Sequence, residues 1–250
     1  MSGQLRLLLL SNSRNPGAAY LVHARDAMLG LLGPDPGSVL FVPYAGVTVG
    51  PAEYSARLAE ALGPWGVRVR SIAAAPDPVA AVQEASAIIV GGGNTFQLLK
   101  RCQETGILPA IRDRVRAGLP YLGWSAGSNL AGPTIRTTND MPIVQPASFD
   151  ALGLVPFQIN PHYTDFVQPD HGGETRDDRI AEFLVLNPTV RVVGLREGSW
   201  LRVEGRCLTI GGPHTLRLFQ ANREPREIGT EADLGRLLGV ADSGPGPEFA

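Results

Sequence analysis

The sequence predicts an α/β protein with a mostly parallel central sheet and helices on both of its faces. In the first half of the chain, short and continuously apolar runs alternate with segments of helical spacing. Continuous apolar runs are typical of strands buried on both faces, as strands in parallel sheets are. Because parallel neighbours need a crossover connection, usually a helix, the alternation itself also indicates a parallel sheet.

The predicted elements follow one another from the N-terminus to about residue 124. Strands are expected at residues 5–12, 38–46, 67–74, 86–93 and 119–124, and helices at residues 17–33, 51–62, 78–85, 95–106 and 107–118. From about residue 158 the pattern changes to shorter strands and turns, so the sheet is expected to gain antiparallel members. We expect one domain over residues 1–235 and a flexible, Gly/Pro-rich tail over residues 236–250.

The composition is that of an ordinary soluble globular protein. The 250 residues are 44% hydrophobic and 18% charged, with a formal net charge of −2. No basic excess points to nucleic acid or an anionic membrane, and the apolar run near the N-terminus is too short for a signal peptide or a bilayer span. Cys102 and Cys207 give neither a disulfide framework nor a metal-ligand spacing. We therefore expect a cytoplasmic enzyme that needs no metal or cofactor and binds neither nucleic acid nor membrane.

A candidate nucleophile lies in GWSAG, residues 123–127. The segment fits G-x-S-x-G at the end of a predicted strand and the start of a helix, which is the context of a nucleophile elbow. The glycines permit a sharp turn that exposes the Ser125 hydroxyl, and the following helix N-terminus offers partial positive charge to an oxyanion. In a chain with 30 glycines, a simple turn serine is the alternative.

A serine nucleophile needs a base, and the base needs an acid that orients it. Among the four histidines, His162 follows an apolar stretch at a predicted strand-to-loop junction, where a base could face the sheet edge. A hydrogen-bonded loop histidine is the alternative. For the acid, both Asp140 in TTND and Glu197 in LREGSW qualify, and a turn with side-chain caps explains TTND equally well.

A second glycine cluster, GGGN at residues 91–94, ends a predicted strand and precedes a helix. Exposed backbone N–H groups at such a position can hold an anion. Nucleotide binding is disfavoured because the segment lacks both the P-loop Lys-Ser/Thr and the G-x-G-x-x-G spacing. If the cluster lies beside the elbow, the N–H groups of Gly93 and Ala126 form an oxyanion hole.

Several long segments together resemble one family. VGGGNTFQLLK, GWSAGSNLAGPTIRTTNDMPIV, QINPHYT, GETR and GLREGSW, in this order, resemble the peptidase E family of serine peptidases, the aspartyl dipeptidases. LLLLSNS and VPYAGVT fit the same family, and the likeness extends to about residue 220. The resemblance implies a flavodoxin-like fold akin to class I glutamine amidotransferases. It also implies an enzyme that removes an N-terminal aspartate from dipeptides. Short peptides with an N-terminal aspartate are further candidate substrates.

The resemblance assigns roles to individual residues. The nucleophile falls on Ser125, the histidine on His162 and the acid on Asp140 or Glu197. We favour Asp140, because the chain order Ser, Asp, His is geometrically common, and keep Glu197 as the alternative. The family's substrate-binding arginine falls on Arg176 in GETR.

Taken without the resemblance, Arg176 would be expected in a surface ion pair with Glu174 or Asp178. The chain departs from the family pattern mainly in its C-terminal tail and at Arg196, a change that could alter the charge near Glu197. The expected partner is a small peptide with an N-terminal aspartate, and the expected assembly is a homodimer.

Other functions share parts of this pattern. A cyanophycinase-like peptidase of the same fold would use the same serine and histidine on β-aspartyl or longer substrates. An α/β-hydrolase esterase also has the order Ser, Asp, His, but its histidine normally lies near the chain end. A non-catalytic binding domain would use GGGN to hold a small anion. A metallopeptidase is disfavoured because no H-E-x-x-H motif occurs.

Overall fold

The computed structural model describes residues 4–35, 37–167, 172–230 and 234–239. The strands in these ranges are β1 (Arg6–Leu10), β2 (Ser38–Val42), β3 (Arg68–Ser71), β4 (Ile88–Val90), β5 (Tyr121–Trp124), β6 (Gln158–Tyr163), β7 (Arg191–Arg196), β8 (Trp200–Glu204), β9 (Cys207–Gly211), β10 (Leu216–Gln220) and β11 (Arg226–Ile228). The α-helices are α1 (Arg25–Leu32), α2 (Pro51–Leu62), α3 (Pro78–Gln83), α4 (Thr95–Glu104), α5 (Ile107–Arg116), α6 (Ala126–Leu130) and α7 (Arg176–Leu186).

The main sheet has seven strands in the order β3-β2-β4-β5-β1-β8-β9. The five strands from β3 to β1 are parallel to one another, and β8 and β9 extend the sheet in antiparallel fashion. The prediction of a mostly parallel sheet with antiparallel members from the second half of the chain is confirmed.

Strand β1 shows why the apolar runs are continuous. Successive side chains of a strand point to opposite faces of the sheet. Leu7 and Leu9 belong to the core that α4 and α5 cover, whereas Leu8 and Leu10 belong to the core that α1 and α2 cover. All four side chains are fully buried. Helices therefore cover both faces, as predicted.

A second sheet was not foreseen in the sequence. Strands β6, β7, β10 and β11 form it in the order β11-β10-β7-β6, with β6 and β7 parallel and the other pairs antiparallel. Ile159 of β6 and Leu195 of β7 share a core with Leu7 of the main sheet. The apolar pattern of a strand indicates which of its side chains are buried, but it does not indicate which other strand it pairs with. The division into two sheets could therefore not be predicted from the sequence.

The first helix is shorter than predicted. Residues 17–33 were expected to be helical, but α1 begins only at Arg25 and follows a 3-10 turn at Val22–Ala24. Gly17 and Leu21 have φ angles of 73° and 61°, which an α-helix does not accommodate. Leu21 is nevertheless fully buried, and this burial gives the segment its helix-like apolar spacing.

The predicted tail falls mostly beyond the described part of the chain. Residues 240–250 lie outside the described residues, while Gly235–Leu238 forms a 3-10 turn in which Leu237 is buried. Among the helices that the structure describes, none has both the length and the apolar character needed to cross a membrane.

The junction between β5 and α6 depends on two glycines that leave no space for a side chain. A Cβ atom on Gly127 would lie 2.3 Å from the carbonyl oxygen of Val90, and one on Gly123 would lie 2.6 Å from the carbonyl carbon of Gly127. Helix α6 thus approaches the ends of β4 and β5 more closely than any larger residue permits.

We expect Gly127→Ala to lower the free energy of unfolding by about 1–3 kcal/mol, because the backbone of β4 must move to admit the methyl group. Gly229→Ala is the matched control. Gly229 has no positive φ angle, and apart from its two chain neighbours no atom lies within 4 Å of the added Cβ. This control should be neutral or stabilise by about 0.4–1 kcal/mol. Urea unfolding measures both variants, and equal stabilities would contradict the close approach of α6 to β4.

Candidate active site

Ser125 lies on the sharp turn between β5 and α6, with φ 51° and ψ −113°. A residue other than glycine rarely adopts such angles, and it does so mainly where the surrounding structure enforces them. Here the Ser125 N–H donates to the carbonyl of Leu10 at 3.1 Å. The Ser128 hydroxyl contacts the carbonyls of Leu10 and Gly123 at 2.6 and 2.9 Å. These bonds hold the turn against the carboxyl end of β1, in the geometry expected of a nucleophile elbow.

His162 projects from an irregular position in β6. Its φ is 53°, and the pairing of β6 with β7 shifts register between Pro161 and Tyr163. Such irregularities re-aim a side chain relative to the strand. The Nε2 atom of His162 lies 2.9 Å from Ser125 Oγ. The buried hydroxyl of Ser11 accepts the His162 N–H at 2.9 Å and donates to the Leu195 carbonyl at 2.7 Å.

Glu197 supplies the carboxylate nearest to the other ring nitrogen. Its Oε1 atom lies 2.6 Å from His162 Nδ1, and the two side chains are 51% and 41% exposed. Glu197 directly follows β7, the parallel neighbour of β6, so the two strands end side by side. Ser125, His162 and Glu197 therefore form a continuous hydrogen-bonded series of the kind found in serine hydrolases.

The structure departs from the sequence-based preference for Asp140 as the acid that orients His162. Asp140 Oδ2 accepts hydrogen bonds from the N–H and the hydroxyl of Thr95 at 2.7 and 2.5 Å, and from the Thr138 hydroxyl at 3.1 Å. Thr95 is the first residue of α4, so this carboxylate stabilises a helix N-terminus. The segment that follows the elbow contacts the start of α4, so Asp140 lies there. Glu197 lies at the histidine because β6 and β7 pair side by side.

The remaining residues of the TTND cluster bind the strand that carries His162. Asn139 Nδ2 donates to the Pro161 carbonyl at 2.6 Å. Asn160 Nδ2 donates to the Thr137 carbonyl at 2.8 Å and to Asn139 Oδ1 at 2.7 Å. The TTND cluster thus fixes both β6 and the start of α4 next to the elbow.

The GGGN cluster lies next to the elbow, which is the placement that the interpretation as an oxyanion hole requires. A Cβ atom on Gly92 would lie 3.1 Å from Ser125 Cβ. Gly93 is exposed and lines one cavity together with Ser125 and His162, while Ala126 is buried and follows Ser125 as the first residue of α6. The use of the Gly93 and Ala126 N–H groups as an oxyanion hole stays a prediction.

The cavity in front of Ser125 has a volume of about 1150 Å³. Its wall combines apolar side chains, among them Val47, Trp65 and Ile143, with the charged residues Arg14, Arg57 and Glu60. In the ranges that the structure describes, no three His, Cys, Asp or Glu side chains are grouped so that they could hold a metal ion. The cavity therefore offers a hydroxyl, an imidazole and apolar surface to an organic ligand.

Arg176 is the first residue of α7 and is half-buried. Its Nη1 donates to Asn160 Oδ1 at 3.3 Å, and burial, followed by repulsion from Arg179, lowers its pKa. Neither alternative ion pair forms, because Asp178 closes a capping box and Glu174 lies 3.7 Å from Arg179. Within the described residues the Arg176 guanidinium has no carboxylate partner, and its part in substrate binding stays a prediction.

A charged network fixes the end of β7 just before Glu197. The guanidinium of Arg196, 16% exposed, bonds Asp165 at 2.8 and 2.9 Å and Glu227 through two contacts of 2.9 Å. Hydrogen bonding to Arg196 lowers the pKa of Glu227 to about 2 and also lowers the pKa of Asp165. The departure from the family pattern at Arg196 thus anchors the strand end that carries Glu197.

Sequence reasoning missed Ser11 and Asn12 as supporting residues. Besides the Ser11 bonds to β6 and β7, Asn12 Oδ1 accepts the N–H of Gly198, the residue after Glu197, at 2.8 Å. Both side chains are buried. The available signal was their position, since polar residues that directly follow a buried central strand lie at the edge where ligands bind in parallel sheets.

An α/β fold with a nucleophile elbow and this hydrogen-bonded Ser-His-Glu series defines the class of serine hydrolases. The model of Peptidase family S51 matches residues 7–211 of the chain. A curated relative named Peptidase E, from Shigella sonnei (strain Ss046), is 52% identical over 227 residues, which are 90% of this chain and 99% of the relative. The chain belongs to peptidase family S51, a family of serine peptidases.

Solved structures show the same fold. A peptidase from an acI-B1 Actinobacterium superposes with a TM-score of 0.64 at 17% identity and covers 91% of this chain and 99% of its own. A protein from Listeria monocytogenes EGD-e also gives a TM-score of 0.64, at 23% identity, over 84% of this chain and 100% of its own. At such identities the likeness concerns the fold alone, and it is consistent with the flavodoxin-like fold expected from the sequence.

Proposed function

We propose that the chain is a serine dipeptidase that removes an N-terminal aspartate from dipeptides and short peptides, and that residues 1–235 form its one catalytic domain. The observation that carries the proposal is the pair of contacts made by His162, 2.9 Å to Ser125 Oγ and 2.6 Å to Glu197 Oε1. The 52% identity to a protein named Peptidase E supports the substrate class.

The proposed reaction is acyl transfer to Ser125. Its hydroxyl attacks the scissile carbonyl while His162 Nε2 accepts the proton, and Glu197 fixes the tautomer and stabilises the imidazolium. The N–H groups of Gly93 and Ala126 bind the oxyanion. The histidine then protonates the leaving amine, and water releases aspartate from the acyl-enzyme by the same steps.

Selectivity for aspartate is assigned to Arg176. A planar guanidinium binds a carboxylate with two parallel hydrogen bonds, which an ammonium group cannot do. Burial already lowers the pKa of Arg176, and its hydrogen-bond partner Asn160 is neutral. An uncharged substrate side chain would leave this charge unpaired, so the site would reject it.

We further propose a homodimer in the cytoplasm. Val185 and Leu186 at the end of α7 are 75% and 84% exposed, and we assign this end of the helix to the contact between copies. Cys102 and Cys207 are both free, which is the usual state of cysteines in a reducing compartment.

The proposal predicts that the protein hydrolyses Asp-Leu in clear preference to Asn-Leu, Glu-Leu and Ala-Leu. Ser125→Ala should reduce kcat for Asp-Leu by about 10⁴-fold or more, because the nucleophile is removed. Ser13→Ala is the control, since Ser13 is a serine on the wall of the same cavity. Release of free amino acids from each dipeptide measures the rates. Equal turnover by wild type and Ser125→Ala would refute the mechanism.

Glu197→Gln should lower kcat for Asp-Leu by about 10²–10⁴-fold, because the amide no longer stabilises the imidazolium. Asp140→Asn should chiefly lower stability, by about 0.5–2 kcal/mol, because it weakens the cap of α4. Steady-state kinetics and urea unfolding of both variants separate the two effects. If Asp140→Asn lost more turnover than Glu197→Gln while remaining folded, Asp140 would be the orienting acid.

Arg176→Gln should reduce kcat/KM for Asp-Leu by about 10–100-fold and should remove most of the preference for Asp-Leu over Asn-Leu, since a charge-assisted bond contributes about 1.5–3 kcal/mol. Arg179→Gln is the matched control. Arg179 lies on the same helix, its side chain is 65% exposed and it pairs with Glu174. An unchanged ratio of Asp-Leu to Asn-Leu hydrolysis in Arg176→Gln would remove Arg176 from the substrate site.

A further inference from the structure

The cavity in front of Ser125 is larger than an N-terminal aspartate requires. Its volume of about 1150 Å³ lies above the range of about 300–1,000 Å³ that is typical of sites for drug-sized ligands. It runs from Ser125 and His162 to α2, where Arg57 lines it, and to the following turn, where Trp65 lines it. Arg176 is not among the residues that line this cavity. Since the acyl part of the proposed substrate is a single residue assigned to Arg176, the cavity is left for the leaving part of the peptide.

Two guanidinium groups line this cavity, and they differ in their partners. Arg57 donates to Glu53 at 2.5 Å, so its charge is already compensated. Arg14 follows β1, is exposed and lines the same wall. Within the described ranges of the chain, the Arg14 guanidinium forms no ion pair, whereas Arg57 forms one. Arg14 is therefore the guanidinium on this wall that is available to an anionic ligand.

The backbone of Arg14 is held in place by the same side chain that holds the turn after Glu197. Asn12 Nδ2 donates to the Arg14 carbonyl at 2.8 Å and to Asn15 Oδ1 at 2.9 Å. Asn12 Oδ1 accepts the Gly198 N–H at 2.8 Å. A loop that is ordered before the ligand arrives loses less conformational freedom on binding. The backbone of Arg14, from which the guanidinium extends, is thus fixed relative to the proposed catalytic acid.

We propose that Arg14 binds the C-terminal carboxylate of the leaving part of the peptide, which is one to three residues long. The inference rests on the proposed function and extends it to the far end of the substrate. A short free peptide always ends in a carboxylate, and a guanidinium binds this group with two charge-assisted bonds. Val47, Trp65 and Ile143 provide apolar surface for the side chains in between. Through Arg14 the enzyme would recognise a free C-terminal carboxylate that lies one to three residues beyond the scissile bond.

The test compares free acids with C-terminal amides. We would measure kcat/KM for Asp-Leu, Asp-Ala-Leu and Asp-Ala-Ala-Leu, each in both forms, with wild type, Arg14→Gln and Arg57→Gln. At the preferred length, wild type should favour the acid by about 10–100-fold, which corresponds to a charge-assisted bond. Arg14→Gln should lose this preference through slower hydrolysis of the acid, with unchanged hydrolysis of the amide. Arg57→Gln should retain the preference.

Hydrolysis of acids and amides at equal rates by wild type at every length would overturn the assignment, and so would a preference that persists in Arg14→Gln. If instead the proposed function is wrong, wild type will cleave none of the aspartyl peptides, neither as acids nor as amides. In that case calorimetry with Leu, Ala-Leu, Ala-Ala-Leu and their amides still decides the matter. Tighter binding of at least one acid than of its amide, lost in Arg14→Gln, supports the carboxylate site, and equal binding of acids and amides rejects it.

Discussion

The carboxyl end of β1 holds the two sheets of the molecule together at the site. The Leu10 carbonyl accepts the N–H of Ser125, and the hydroxyl of the next residue, Ser11, bonds the N–H of His162 and the carbonyl of Leu195. The nucleophile candidate belongs to the main sheet, whereas the histidine belongs to the second sheet. A buried polar group that loses its partner costs about 1–3 kcal/mol, so neither sheet can shift at this point without a large loss of stability. The 2.9 Å contact between serine and histidine depends on this junction.

The two residues that make this contact both have a strained backbone, and they share a positive φ angle with Leu21 and Asn222. Ser125 and His162 both have positive φ angles, at a cost of about 1–3 kcal/mol for each residue held in such a conformation. The close approach of Gly127 to Val90 and the bonds of Ser11 oppose relaxation of either residue. The rigid packing of small residues around the elbow is therefore needed to keep a strained pair in contact.

The parts of the site that the sequence predicted are those that depend on local pattern. The elbow could be recognised because GWSAG follows an apolar run and precedes a helix, and His162 because it follows another apolar run. The choice between Asp140 and Glu197 could not be made in this way. Glu197 reaches His162, 35 residues away, only because β6 and β7 pair in parallel in a sheet that local patterning does not reveal. The left-handed conformation at Leu21 was missed for a related reason, since burial there mimics helical spacing.

Arg196 poses a problem that its neighbours resolve. An arginine directly before the proposed catalytic acid could pair with Glu197 and compete with His162 for the carboxylate. Its donors are instead used by Asp165, by Glu227 and by the Thr215 carbonyl, which accepts at 3.0 Å. Arg196 lines a small cavity together with His162 and Glu197, but its N–H groups are occupied by these other partners. Asp165 and Glu227 balance the positive charge of Arg196, so Arg196 does not compete with His162 for the carboxylate of Glu197. Glu197 therefore keeps its 2.6 Å contact with His162.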